Sequence, residues 1–206
     1  MLKSILRQGR EIQTEDLSRV LKVVGEQVKR ASGIINRLRE FGRKPDFKKE
    51  LVSVNTVLEE VMQLIGQQLT LQNIHVRYEL AEDLPPILAN ANRLEQVVFN
   101  LVTNARDAIE QCPWDGSRSD RCRIQMSTQA RDDRVVFTIS DTGIGIPKGS
   151  LDKIFEPFYT TKEVGKGMGL GLAITYGIVR EFGGSIQVES EAGKGTRFIL
   201  SFPAAS

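Results

Sequence analysis

Residues 141–172 read DTGIGIPKGSLDKIFEPFYTTKEVGKGMGLGL, and the placing of their glycines decides the fold. Gly143, Gly145 and Gly149 follow directly on RVVFTISD (134–141), a strand by its alternation. Gly165, Gly167, Gly169 and Gly171 then open an amphipathic segment that reaches about Phe182. Alternating glycines at a helix start let backbone N–H groups approach a polyphosphate closely, and the helix N-terminus adds partial positive charge. A flexible glycine linker is the competing reading. It is disfavoured because these glycines begin a helix at a fixed point instead of lying between domains. Neither GxxxxGK[ST] nor a GxGxxG after a strand occurs anywhere in the chain, which removes the P-loop and dinucleotide folds.

The flanking sequence supplies the rest of a domain around this stretch. Upstream, VNTVLEEVMQLIGQQL (54–69) has apolar residues at helical spacing, NIHVRYEL (73–80) alternates as a strand, and residues 91–111 form a further helix. RCRIQMSTQA (121–130) and RVVFTISD are strands parted by the turn residues RDD. Downstream, SIQVES (185–190) and TRFILSF (196–202) are two closing strands. This mixed order predicts an α/β two-layer sandwich, one mixed sheet with helices on one face.

The amino-terminal quarter differs in kind. Leu17, Leu21, Val24, Val28, Ala31, Ile35 and Leu38 recur at spacings of four and three, with Val20, Ile34 and Phe41 widening the stripe. Thr14 followed by Glu15 and Asp16 supplies a cap and an acidic first turn, and Gly42 and Pro45 end the pattern, so one long helix is predicted over about 14–42. MLKSILRQG (1–9) reads as the tail of another helix, which makes a partial helical hairpin ahead of the sandwich. One short arm cannot bury so wide a stripe. The expectation is a homodimer through this helix, weakened by truncation of its partner helix, or packing on residues outside this chain. Residues 1–50 hold 13 Lys/Arg against 7 Asp/Glu, whereas the remainder holds 15 against 19. The boundary is placed between 1–46 and 47–206.

At 206 residues the chain exceeds the usual single-domain mode of roughly 100 to 150, as one core with an appended element would. Its 40% hydrophobic and 26% charged composition is that of a globular protein and excludes disordered and collagen-like classes. No run of about 18 apolar residues exists, so neither a membrane span nor a signal peptide is expected, nor direct membrane contact. Cys112 and Cys122, with His75 as the sole histidine, cannot make a four-ligand zinc site and are expected as free thiols of a reducing cytoplasm. The basic run at 37–49 reads as a solvated helix end, with no nucleic-acid partner expected.

Taken in order, EQVVFNLVTNARDAI (95–109), DTGIGIP (141–147), FEPFYTTK (155–162), GKGMGLGL (165–172) and GKGT (193–196) resemble the N, G1, F, G2 and G3 boxes of sensor histidine kinases. The resemblance covers roughly 51–203. It implies the Bergerat, or GHKL, ATP-binding fold shared by gyrase, the Hsp90 chaperone, histidine kinases and the MutL repair protein. The helix at 14–42, with ASGIINRLREFGR (31–43), is similar to the second helix of that family's dimerisation and histidine phosphotransfer domain, and no phosphoacceptor histidine accompanies it.

The residue roles that the resemblance implies agree with the chemistry of each position. Asn100 and Asn104 lie one turn apart on one helix face, inside VVFNLVTNA, where unpaired amides would be costly. Their amide oxygens suit a Mg2+ ion that keeps most ligands as water and phosphate oxygen, with Asn104 the metal ligand. Asp141 would accept the adenine amino hydrogen bond with Thr196 assisting, and Gly143, Gly145 and Ile146 would border the base. Phe155 and Phe158 would anchor a nucleotide lid over 156–168, in which Lys162 and Lys166 meet phosphate oxygens. Gly165, Gly167, Gly169, Leu170 and Gly171 complete the phosphate side. Asp107, also placed in the nucleotide-binding set, stands where many family members carry a lysine. Asn100, Asn104 and Lys162 form the catalytic set, with ATP and Mg2+ as cofactors, and His75 is expected to be a strand side chain.

The function implied is that of the cytoplasmic catalytic part of a two-component sensor histidine kinase. It would transfer the ATP γ-phosphoryl group to a histidine outside this chain, in a relay whose next partner is the receiver domain of a cognate response regulator. Two other classes share the fold. A gyrase-like or Hsp90-like ATPase would place a glutamate base one turn before the metal asparagine, at the position of Asn100. A serine-directed anti-sigma-type kinase would have no use for the long apolar stripe at 17–38.

Overall fold

A computed structural model of the chain describes residues 18, 20–22, 24–25, 48–112, 122–162 and 167–205. The chain divides into two units, Met1–Pro45 and Asp46–Ser206. In the first, Ser18, Val20, Leu21, Lys22, Val24 and Gly25 are helical, and Leu21 and Val24 are exposed. The remainder of the helix expected over 14–42, and its hairpin partner, lie outside the described residues.

In the second unit the elements run β1 (Glu50–Val52), α1 (Val54–Leu71), β2 (His75–Glu79), β3 (Ile87–Ala89), α2 (Ala91–Glu110), β4 (Arg123–Arg131), β5 (Arg134–Asp141), a 3-10 turn at Lys148–Ser150, α3 (Gly171–Glu181), β6 (Ser185–Glu191) and β7 (Gly195–Pro203). Five strands form one sheet in the order β2-β4-β5-β7-β6; β2 and β4 are parallel and the other pairs antiparallel. The mixed sheet of the α/β sandwich is therefore present. Strands β1 and β3 form a separate antiparallel pair, Glu50 to Val52 against Ala89 to Ile87. Three-residue strands carry too little alternation to be read from sequence, and these two were not expected.

Alternation along the strands buries one face of the sheet. Ile124, Met126 and Thr128 of β4, Val135, Phe137 and Ile139 of β5, and Phe198, Leu200 and Phe202 of β7 all point inward. The register places them in cross-strand rows, such as Met126, Ile139, Phe198 and Val188. Helix α2 lies over this face between α1 and α3. It presents Leu94, Val97, Val98, Leu101, Val102, Ala105 and Ile109 to the core at spacings of three and four. Burying each larger side chain of that stripe stabilises the fold by about 1.5–3 kcal/mol.

Both long helices begin at a side-chain cap. Ser53 accepts from the Thr56 N–H at 3.3 Å and Asn90 from the Arg93 N–H at 3.2 Å. Such caps contribute about 1 kcal/mol each. Helix α3 differs: Leu170 precedes it and no side chain caps its first turn. Its leading N–H groups lack the partner that the other two helices have.

Candidate functional site

One wall of the site is α2, and everything else is placed relative to it. The loop leaving β5 returns to the helix, where the Ile144 N–H donates to the Ala108 carbonyl at 3.1 Å. Gly143 lies so close to Ala108 that a Cβ at this position would stand 2.6 Å from that residue's carbonyl carbon. Only glycine lets the strand end and the helix come together. Gly145 is a second such point, with φ of +68° and the Glu191 carbonyl on the side a Cβ would occupy.

This loop holds Asp141 in place. Its Oδ1 accepts from the Gly143 N–H at 2.8 Å, and the Thr196 N–H also donates to the carboxylate. Burial pushes the Asp141 carboxyl up to about 6, against the pull of those two donors toward the ionised form. Thr196 is its cross-strand partner on β7. Next to it, Ser190 accepts from the Ile146 N–H and donates to the Gly195 carbonyl, both at 2.8 Å, and its Oγ lies 3.0 Å from the Thr196 hydroxyl. The single Ser190 proton is used on Gly195, so Thr196 is the donor in that last bond and its own oxygen is left to accept. An ionised carboxylate and an accepting hydroxyl side by side suit a donor such as an exocyclic amine.

Farther along α2 the chemistry changes. Asn100 Nδ2 donates to the Gly171 carbonyl at 3.2 Å and to Thr175 Oγ1 at 3.4 Å, which ties α2 to the uncapped start of α3. One turn later, Asn104 Oδ1 accepts from the Lys162 ammonium at 3.3 Å. The same Nζ lies 2.5 Å from Asp107 Oδ2, while Arg106 holds Asp107 Oδ1 at 2.6 Å. Burial alone would raise the Asp107 carboxyl, but Lys162 and Arg106 outweigh it and hold it below the usual carboxylate range. Hard oxygen donors therefore already converge on a cation here, and that donor set fits Mg2+. Among the described residues no group of three His, Cys, Asp or Glu side chains could hold a metal by itself.

The segment between β5 and α3 is anchored by rings and backbone. The Phe155 ring packs on Tyr176 of α3 at 5.4 Å between centroids, and the Tyr159 hydroxyl meets Ser150 Oγ at 2.7 Å. The Phe158 N–H donates to the Gly169 carbonyl at 3.0 Å. Gly169 has φ of +66°, and a Cβ there would fall 2.4 Å from the Phe158 carbonyl carbon.

Sequence reasoning named most of these positions. Asn104, Asp107 and Lys162 meet on one side of the site, with Asn100 tied to the start of α3 one turn earlier on α2, and Asp141, Gly143, Gly145, Ile146 and Thr196 lie on the other. Leu170 is buried at the head of α3, Gly171 is its first residue, and Gly167 lies against Lys162. Gly165 and Lys166, and with them part of the expected lid, lie outside the described residues. Phe158 departs from the expected apolar contact in one respect: the residue is 64% exposed. Its backbone is committed to Gly169 in a left-handed conformation, φ 69°, that turns the side chain outward, and Phe155 and Tyr159 hold the segment. Ser190 and Ala108 were missed. The first is legible only through its register with Thr196, and the second only through the closeness of Gly143. His75 sits exposed on edge strand β2, with β4 between it and the strand bearing Asp141. Cys112 and Cys122 form no disulfide.

A mixed sheet under three helices, with its polar groups gathered between α2, the β5 loop and α3, defines a Bergerat-type ATP-binding domain. Residues 89–206 match the family described as histidine kinase-, DNA gyrase B-, and HSP90-like ATPase, and the chain belongs to that family. It is 38% identical over 186 residues to the sensor kinase CckA of Brucella abortus (strain 2308), covering 87% of this chain and 20% of that protein. The catalytic domain of histidine kinase ThkA, in a nucleotide-free form, superposes with a TM-score of 0.64 at 31% identity, covering 78% of this chain and all of that one. Full-length ShkA in complex with AMPPNP gives a TM-score of 0.74 at 25% identity, over 97% of this chain and 41% of that one. The chain thus spans a fifth of its curated relative CckA. Within the family, its fold is that of the ATP-binding catalytic domain of two-component sensor histidine kinases. No described helix is long and apolar enough to cross a membrane.

Proposed function

We propose that residues 47–206 bind Mg-ATP and transfer its γ-phosphoryl group to a histidine outside this chain, and that residues 1–46 are part of the dimerisation and phosphotransfer helices. The observation that carries this reading is the gathering around one helix of an adenine acceptor, a cation-binding amide and an uncapped helix start. Asp141 accepts from the adenine amino group, with Thr196 Oγ1 beside it, and Gly143 and Gly145 keep the backbone close enough for the base to enter. The first turn of α3, kept open by Gly167, Gly169 and Gly171, offers its N–H groups to the polyphosphate. Asn104 and Lys162 face the terminal phosphates. The metal, when bound, neutralises phosphate charge. In a transfer with a loose transition state, positioning and charge neutralisation are nearly all that a protein supplies.

Asn100 argues against the ATPase reading. A general base must take a proton from water, an amide cannot do so near neutral pH, and this one is committed to Gly171 and Thr175. The same domain would serve a relay that ends on a response regulator.

The test is incubation with γ-labelled ATP, alone and with a separate phosphotransfer domain bearing a histidine. The chain alone stays unlabelled, since its sole histidine sits on β2 of the ATP-binding domain. The added domain acquires acid-labile phosphate, and Asn104→Ala abolishes the transfer. Acid-stable label on the acceptor, or acid-labile label on His75, contradicts the proposal.

A further inference from the structure

Lys162 and Asp107 carry more than a surface ion pair does. The Lys162 ammonium is shared between Asp107 Oδ2 and Asn104 Oδ1, the oxygen assigned above to the metal. Both oxygens therefore lie within hydrogen-bond reach of one point, and a positive charge already occupies it. Arg106 takes the far oxygen of Asp107, through its Nε at 3.0 Å and its Nη2 at 2.6 Å, and leaves Oδ2 turned toward that point. The lysine and the aspartate are each about three-quarters covered, so the pair is only partly screened by water. A divalent ion and an ammonium group cannot occupy the same two oxygens together.

From this geometry we infer that Asp107 is the second protein oxygen of the divalent-cation site, directly or through one bound water, and that Lys162 is its placeholder in the nucleotide-free state. The inference rests on the Mg-ATP reading above. Arrival of the metal nucleotide expels the ammonium from Asp107 and Asn104. Lys162 is then released toward the terminal phosphates. Asp107 thereby gives the site a carboxylate toward the metal, and Lys162 supplies the cation from another element.

The test is titration of Mn2+, followed by electron paramagnetic resonance, into the chain saturated with AMPPNP. It is run for the parent, Asp107→Asn, Lys162→Met and the double variant. Asp107→Asn weakens Mn2+ binding by roughly tenfold, the scale on which groups around a metal act. Lys162→Met removes the competitor and tightens it about threefold or more. In the double variant the loss caused by Asp107→Asn persists. Should Asp107→Asn fail to fold, Asp107→Ser carries the same expectation. Unchanged Mn2+ affinity in Asp107→Asn, or a loss that vanishes once Lys162 is gone, overturns the inference: Asp107 would then act only by holding the lysine. Failure of the parent to bind AMPPNP at all would sink the Mg-ATP reading itself.

Discussion

Asp141 is the residue on which the site's pH behaviour turns. Its folded carboxyl sits at about 6, above the ordinary 3.8, so between about pH 4 and pH 6 the native state holds a proton that the unfolded chain has lost. Its contribution to stability is therefore full at low pH and falls as pH rises through 6, by on the order of 3 kcal/mol in all. Nucleotide binding runs the other way, because the ionised carboxylate is the better acceptor for an amine. ATP affinity at pH 5 is expected to be roughly tenfold weaker than at pH 7. Asp141→Asn flattens that profile to the part due to phosphate titration, and calorimetry at several pH values checks both. A profile identical in the two proteins contradicts the assignment. At this scale the sequence was legible wherever chemistry demanded one residue type, as at Asp141, Asn104 and Gly143. It was silent on Ser190, whose hydroxyl fixes both Ile146 and Thr196, because a serine in an alternating strand has no signature until its partner strand is in register.

Among the elements, helices and long strands could be read from periodicity, and β5 was found to the residue. What escaped were pieces too short to have a period: β1 and β3, which are fixed by pairing with each other across the chain, and the 3-10 turn, which is closed by its own local bonds. The turn at Phe158 belongs with them. The resemblance implied an apolar anchor at Phe158, yet its backbone is bonded to Gly169, eleven residues on. Gly169→Ala places a Cβ against the Phe158 backbone at a φ that L side chains rarely adopt. It is expected to destabilise the domain by roughly 1–3 kcal/mol, seen as a lowered melting temperature, and to weaken ATP binding. Gly177→Ala, in open space on α3, serves as the control and should melt no lower than the parent. Equal melting of Gly169→Ala and the parent contradicts this close approach.

For the whole molecule, the sequence distinguished a basic helical stretch from an α/β domain by charge and by period, and the structure divides between Pro45 and Asp46. The stripe from Leu17 to Leu38 predicts self-association, since its apolar residues would otherwise face water. Sedimentation should show a concentration-dependent dimer that Val28→Glu dissociates, and a monomer at every concentration for both proteins contradicts it. The proposed function rests above all on adenine nucleotide sitting between α2, the β5 loop and α3 with Asp141 on its base. Titration of ATP into the parent chain and into Asp141→Ala, with Mg2+ present, tests it most directly. The parent is expected to bind and the variant to bind at least tenfold more weakly, about 1.4 kcal/mol. Equal affinity in the two would contradict it.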